Sequence, residues 1–174
     1  MPHPVPIPGT SRARLIEVAI ARFETQGYDK ANVVEMAEAA GVTTGSLYHH
    51  FDSKLGLYRV IREEMERRMT ERIEGAAAAT GGGRTGAAAG LLVAFDAAVR
   101  FGVTRILSEP PPVATVDPVA EALQQAVPGI PAAGPCLSAT WRGALAEVAG
   151  GADPAAIRHA LEWVVGPSSD GVPR

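Results

Sequence analysis

The sequence predicts an all-α protein made of an N-terminal three-helix unit of helix-turn-helix type and a longer helical C-terminal part. Three observations predict it. Apolar residues recur at intervals of three and four along most of the chain, and capping residues and glycines punctuate those stretches. The composition is rich in alanine, with 19 Gly and 5% aromatic residues, as suits close-packed helices with small interfaces. At 174 residues the chain can bury a real core, in one or two domains.

Ser11 is read as the cap of a first helix, Arg12 to Gln26, with Leu15, Ile16, Ala19, Ile20 and Phe23 on its buried face and Gly27 as its end. Tyr28 is expected to close the core of the N-terminal unit. Asn32 is a good N-cap, and Val33, Met36, Ala37 and Ala40 follow at helical spacing, which predicts a helix over Val33–Ala39. Gly41 stops it, because glycine tolerates the left-handed backbone a helix end needs. Thr43 or Thr44 caps the next helix, in which Leu47 and Phe51, four apart, face the core. That leaves Thr44, Gly45, Ser46, Tyr48, His49 and His50 on the other face, with small groups first and polar rings behind. A helix of this width enters a major groove with its N-terminal residues toward the bases. Ser53 caps a further helix, at whose start Lys54 can lie on a phosphate.

At these residues the chain resembles the tetracycline-repressor (TetR) family of bacterial regulators. The resemblance begins with Ile16, Ala19, Phe23 and Gly27-Tyr28. It runs on through Val34, Met36-Ala37, Ala40-Gly41-Val42, Gly45, Leu47-Tyr48, His50-Phe51, Lys54 and Leu57, about the first third of the chain. It implies an N-terminal DNA-binding domain, a C-terminal helical ligand-binding and dimerisation domain, and a homodimer released from a double-stranded DNA operator by a small molecule. By this resemblance Thr44, Gly45, Ser46, His49 and His50 face bases or backbone, and Tyr48 and Lys54 hold phosphates. With the caps Asn32 and Thr43 these form the candidate DNA-contact set. The chain departs from the family at Thr44, where many members carry Lys or Arg, and at Asp52, which is acidic.

Charge sharpens this expectation. The net charge is -3, and residues 1–58 hold five cations (Arg12, Arg14, Arg22, Lys30, Lys54) against six acids (Glu17, Glu24, Asp29, Glu35, Glu38, Asp52). A diffuse cationic surface is therefore excluded, so binding rests on a few placed donors and on helix N-termini. Modest nonspecific affinity and a shallow salt slope follow. The single cysteine, Cys136, rules out an internal disulfide and suits a reducing cytoplasm. No targeting segment is expected, and residues 1–10 and 167–174 read as disordered tails. The longest apolar stretch, Ala87 to Phe95, is cut by Asp96 and is far shorter than the roughly 20 residues of a membrane span.

The helix from Lys54 continues through Leu57, Tyr58, Ile61, Met65, Met69 and Ile73, between which five Arg and five Glu form a solvated, self-cancelling face. It begins at an expected DNA contact and ends in the second part, so it could carry a displacement between them. The domains are accordingly set at 11–58 and 59–166. Gly75 to Gly90, low in complexity and broken by Gly81-Gly82-Gly83, reads as a flexible crossing. A helix over Ala87–Leu107 follows, with Leu91, Leu92, Phe95, Val99, Val103 and Ile106 on one side and an Asp96–Arg100 pair. Pro110-Pro111-Pro112 ends it, and Asp117-Pro118 opens a helix to about Val127. Two more run from Pro135 or Cys136 to Ala149 and from Pro154 to Val165, capped by Asp153. Their stripes, Leu137, Trp141, Leu145, Val148 and Ile157, Leu161, Val164, Val165, either close the subunit's own core or form a two-fold four-helix interface. The resemblance favours the interface.

His49 and His50 are adjacent and diverge by about 100 degrees on a helix, so they are not read as a metal pair. No catalytic grouping, metal cluster or cofactor site is found, and no enzyme is expected. A small, largely apolar effector is expected near Leu91, Phe95, Val99, Ile106, Leu123 and Trp141. The reading is a dimeric repressor of a near-palindromic operator. Its rival is a helical homodimeric interaction module whose degenerate helix-turn-helix does not read DNA.

Overall fold

The computed structural model describes residues 9–166, and every regular element among them is a helix. In chain order these are α1 (Ser11–Lys30), α2 (Val33–Ala39), α3 (Thr44–Phe51), α4 (Lys54–Ala79), α5 (Gly83–Phe101), α6 (Thr104–Ser108), α7 (Pro118–Ala126), α8 (Ala133–Ala149) and α9 (Pro154–Val165). The chain divides inside α4 into two compact units, the first ending at Glu64 and the second beginning at Met65. The expectations for residues 1–8 and 167–174 lie outside the described residues. No described helix is long and apolar enough to cross a membrane.

In the first unit α1, α2 and α3 pack on one another. Leu15, Ala19, Phe23, Met36, Ala37, Leu47 and Phe51 are buried there, with Leu57, Tyr58 and Ile61 from the start of α4. Ile16 and Ile20, expected in the core, are only half-buried. The cap of α1 is Thr10 rather than Ser11: its side chain accepts from the amide of Ala13 at 3.2 Å. Gly27 breaks α1 as expected, with φ 78 and ψ 167, but one further turn follows it, to Lys30.

The second unit corrects the sequence reading in its first turn. Gly75 to Gly90 is not a flexible crossing. α4 runs on to Ala79, Gly81, Gly82 and Gly83 turn the chain with φ of 82, 74 and 66, and α5 returns along α4. The small residues serve close approach: a Cβ on Gly90 would lie 3.0 Å from the Ile73 carbonyl oxygen, and one on Gly86 would lie 3.2 Å from the Ala77 Cα. Composition alone does not distinguish a linker from a tight helix pair, because both favour Ala and Gly. The single helix expected over Ala87–Leu107 is two, α5 and α6, broken at Gly102, which adopts φ 62.

α5 packs on α7, α8 and α9, and α8 packs on α6, α7 and α9. Asp96 does not pair with Arg100 along its own helix; it accepts from Arg158 Nε at 2.8 and 3.1 Å and so ties α5 to α9. A larger ionic cluster centres on Arg142. Its Nη2 reaches Asp117 Oδ1 at 2.8 Å and Glu66 Oε1 at 3.2 Å, and its Nη1 donates to the Leu107 carbonyl. Asp117 also accepts from Ser138 Oγ at 2.6 Å and caps α7 through the amides of Val119 and Ala120. One guanidinium therefore joins α4, α6, α7 and α8. Burial alone would raise the Asp117 carboxyl, but the bonds from Arg142 and Ser138, the Arg142 charge and the Ala120 amide outweigh it and hold it below the usual range.

Two outcomes follow from these contacts. Gly90→Leu lowers the free energy of unfolding in urea by about 1–3 kcal/mol, since the α4 backbone blocks the new side chain. Arg142→Met lowers it by about 3 kcal/mol at neutral pH, the lower end for a buried pair because Asp117 is partly exposed. A carboxylate with a depressed folded pKa stabilises above its unfolded value, and that contribution is lost as pH falls through the folded one. The gap between wild type and Arg142→Met, followed by urea melts, therefore narrows below about pH 4.

Candidate nucleic-acid interface

The N-terminal unit presents one helix outward, and local rules explain why. Asn32 caps α2 by accepting from the Val34 amide at 2.8 Å, and Met36, Ala37 and Ala40 bury the inner side of α2. Gly41 adopts φ 65, and the amides of Gly41 and Val42 return to the carbonyls of Glu38 (2.9 Å) and Ala37 (3.0 Å). This paired closure ends α2 and aims the chain at α3. Thr43, rather than Thr44, caps α3, accepting from the Ser46 amide at 3.2 Å. Leu47 and Phe51 are then buried one helical turn apart, and their positions fix which side of α3 faces out.

That side is the one the sequence indicates. Gly45, Tyr48, His49 and His50 are exposed, Tyr48 to 50% despite its size, while Thr44 and Ser46 are half-buried. The His49 and His50 rings lie 5.4 Å apart, and the His50 ring lies 6.1 Å from that of Phe51. Asn32 and Thr43 are exposed too, but their side-chain oxygens already serve the helix caps. Asp52 closes α3 with φ 61, an unusual conformation for a residue with a Cβ.

The cations are arranged differently from the sequence expectation. Lys54, expected on a phosphate, donates from Nζ to the carbonyls of Tyr28 (2.8 Å), Asp29 (3.2 Å) and Ala31 (3.1 Å), and lies 4.4 Å from the centre of the Tyr28 ring. Tyr28 is half-buried against Phe23 and Tyr58, at ring separations of 6.0 and 5.0 Å. Burial, with the Asp29 charge, raises its phenol above the ordinary range. Arg14 donates from Nε to the Ala40 carbonyl at 3.1 Å, holding the end of α2, and Arg22 lies 4.0 Å from Glu35. Arg12 lies 5.4 Å above the Phe51 ring, which puts a cation at the C-terminal end of α3. Sequence reasoning gave Arg12 no such place; its position one turn before Leu15 and Ile16 was the available signal.

The candidate effector residues are in the second unit. Leu91, Phe95, Ile106, Leu123 and Trp141 are fully buried core residues and Val99 is half-buried. None of the six lines either of two clefts in this unit. One, of about 390 Å³, is bounded by Glu74, Gly82, Ala122 and Gln125. The other, of about 280 Å³, is bounded by Arg84, Ile130, Cys136 and Val164. The indole Nε1 of Trp141 is buried without a hydrogen-bond partner.

The α8 and α9 stripes also differ from the expected interface. Trp141, Leu145, Leu161 and Val165 close the unit's own core. Val164, one of the expected stripe, does face outward at 52% exposure; the other outward residues are Trp163 at 84%, Ala156 and Ala160 on α9 and Ala139, Gly143 and Ala146 on α8.

Residues 15–61, which span the whole of this helix-turn-helix, match the family model of bacterial regulatory proteins, tetR family. The chain carries the TetR-family module. Its N-terminal stretch is 46% identical over 43 residues to the HTH-type transcriptional repressor KstR2 of Rhodococcus jostii, covering 25% of this chain and 21% of that repressor. It is 36% identical over 64 residues to the HTH-type transcriptional repressor AcnR of Corynebacterium glutamicum, covering 37% of this chain and 34% of AcnR. The chain thus matches about a third or less of the length of these curated relatives. Solved structures extend the likeness to the whole fold. A transcriptional regulator from a Rhodococcus species aligns with a TM-score of 0.65 and 21% identity over 90% of this chain and 95% of its own. A TetR-family transcriptional regulator from Pectobacterium atrosepticum aligns with a TM-score of 0.62 and 23% identity over 89% of this chain and 90% of its own. At such identities the likeness is one of fold, and the helices after the TetR module share it.

Proposed function

We propose that this chain is a DNA-binding transcriptional repressor that reads a near-palindromic operator as a homodimer and is released by a small, largely apolar effector. One observation carries the reading: Leu47 and Phe51 anchor α3 so that Gly45, Tyr48, His49 and His50 face outward, within a module that matches the tetR family. On this reading the N-terminal end of α3 approaches base edges and Tyr48 approaches a phosphate. Arg12, over the Phe51 ring, adds a cation at the C-terminal end of α3.

Dimerisation is supported by the outward face of α8 and α9. Residues 139, 143 and 146 and residues 156, 160, 163 and 164 each form one helical stripe, small enough for close approach and carrying one large exposed indole. Two α3 helices on such a dimer would enter major grooves roughly 34–36 Å apart, or a multiple of that. The effector is proposed to enter by opening the core around Trp141, which lines neither cleft and whose buried indole N–H has no hydrogen-bond partner. The action is proposed to be cytoplasmic, where DNA is accessible.

The test is binding to a random-sequence duplex at low salt, followed as salt rises. Wild type binds weakly with a shallow slope, as the balanced charge of the module requires. Tyr48→Ala and the double change His49→Ala, His50→Ala each weaken binding about tenfold or more, while stability to urea changes by less than about 0.5 kcal/mol because the side chains are exposed. Absence of wild-type binding, or unchanged affinity in both variants, contradicts the reading and favours a protein-interaction module.

A further inference from the structure

Lys54 stands in the sequence where a phosphate contact is expected, at the start of the helix after α3, yet its surroundings are those of an internal brace. After the break at Gly27, the last turn of α1 and its C-cap Ala31 direct the carbonyls of Tyr28, Asp29 and Ala31 toward one point, and Lys54 Nζ occupies it. An ammonium has three protons and accepts nothing. Bonds of 2.8, 3.2 and 3.1 Å to three carbonyls therefore use all of its donors. The ring of Tyr28 covers the same charge at 4.4 Å, and that ring is itself held by Phe23 and Tyr58. Carbonyls at a helix end lack partners within their own helix, and a cation is the natural group to satisfy them.

The position of this cage gives it a consequence for recognition. Ala31, the last carbonyl bound, immediately precedes Asn32, which caps α2. The ammonium thus fixes the direction in which the chain leaves α1 and enters α2, and α2 is coupled to α3 by the closure at Gly41. A phosphate could accept a hydrogen bond from Nζ only by displacing one of these carbonyls.

We infer that Lys54 is a positioning residue that sets the placement of α3 from within the module, and that it adds no ion pair to the DNA. The inference rests on the DNA-binding reading above only for its affinity readout. The experiment compares Lys54→Met and Lys54→Arg with wild type in the full chain, measuring affinity for a random-sequence duplex across a salt series, thermal melting, and the carbonyl and amide NMR shifts of residues 28–34.

In the expected result both variants bind DNA about tenfold or more weakly with the wild-type salt slope, because no phosphate contact has been removed. Lys54→Met melts lower, and the carbonyl shifts of Tyr28, Asp29 and Ala31 move. Arginine does not rescue, since a planar guanidinium cannot direct three donors to one converging point. A lysine on a phosphate behaves oppositely. Lys54→Met then loses about 0.9 from the salt slope per lysine, Lys54→Arg binds like wild type, and melting and shifts stay put; that result overturns the inference. Were wild type to bind no duplex at all, the DNA reading would fail. The melting and carbonyl shifts would still decide the brace: if both change in Lys54→Met it stands, and if neither changes it falls.

Discussion

The burial of Leu47 and Phe51 is the constraint on which the N-terminal unit depends. Two apolar side chains one turn apart define a single inner line on α3, so every residue between them is assigned a direction by helix geometry. A different register would bury Tyr48 or a histidine and leave a leucine in water. Burying a side chain of leucine or phenylalanine size is worth about 1.5–3 kcal/mol, enough to make the alternative register rare. The outward set on α3 is thus a consequence of packing, and the caps at Asn32 and Thr43 and the closure at Gly41 bring the helix to where packing can act.

Around that constraint the unit places its charges economically. Arg14 and Lys54, two of the five cations in the first 58 residues, satisfy backbone carbonyls at helix ends, and Arg22 lies near Glu35. The cations therefore define the shape of the module as much as its field. On the proposed function, recognition relies on the geometry of α3 and on polar rings rather than on a cationic surface. The second unit uses the same device at larger scale, where Arg142 joins four helices through two carboxylates and a carbonyl.

Most of this architecture was legible in the residues. The bounds of α2, the cap of α9 by Asp153 and the start of α7 at Pro118 follow from capping chemistry, which is local and strong. The outward face of α3 follows from a four-residue spacing. What escaped depended on contacts distant in sequence. Lys54 meets carbonyls 23 to 26 residues away, and Asp96 meets Arg158, 62 residues away, in preference to a neighbour on its own helix. The composition of Gly75 to Gly90 is shared by linkers and by tight helix pairs; the packing of Gly86 against Ala77 and of Gly90 against Ile73 separates the two. The apolar faces of α5, α6, α7 and α8 gave no means of separating core from ligand wall, and in the structure Leu91, Phe95, Ile106, Leu123 and Trp141 are core while Val99 is half-buried.

The most direct test of the central claim, that packing of Leu47 and Phe51 turns the α3 edge toward nucleic acid, is an NMR titration of isotope-labelled protein with a short duplex at low salt. The account predicts that amide shifts and line broadening concentrate at residues 44–50, with smaller changes at residues 32–34, while the amides of Leu91 to Leu107 stay still. Shifts confined to the second unit, or an unperturbed α3 under conditions where complex forms, would contradict it.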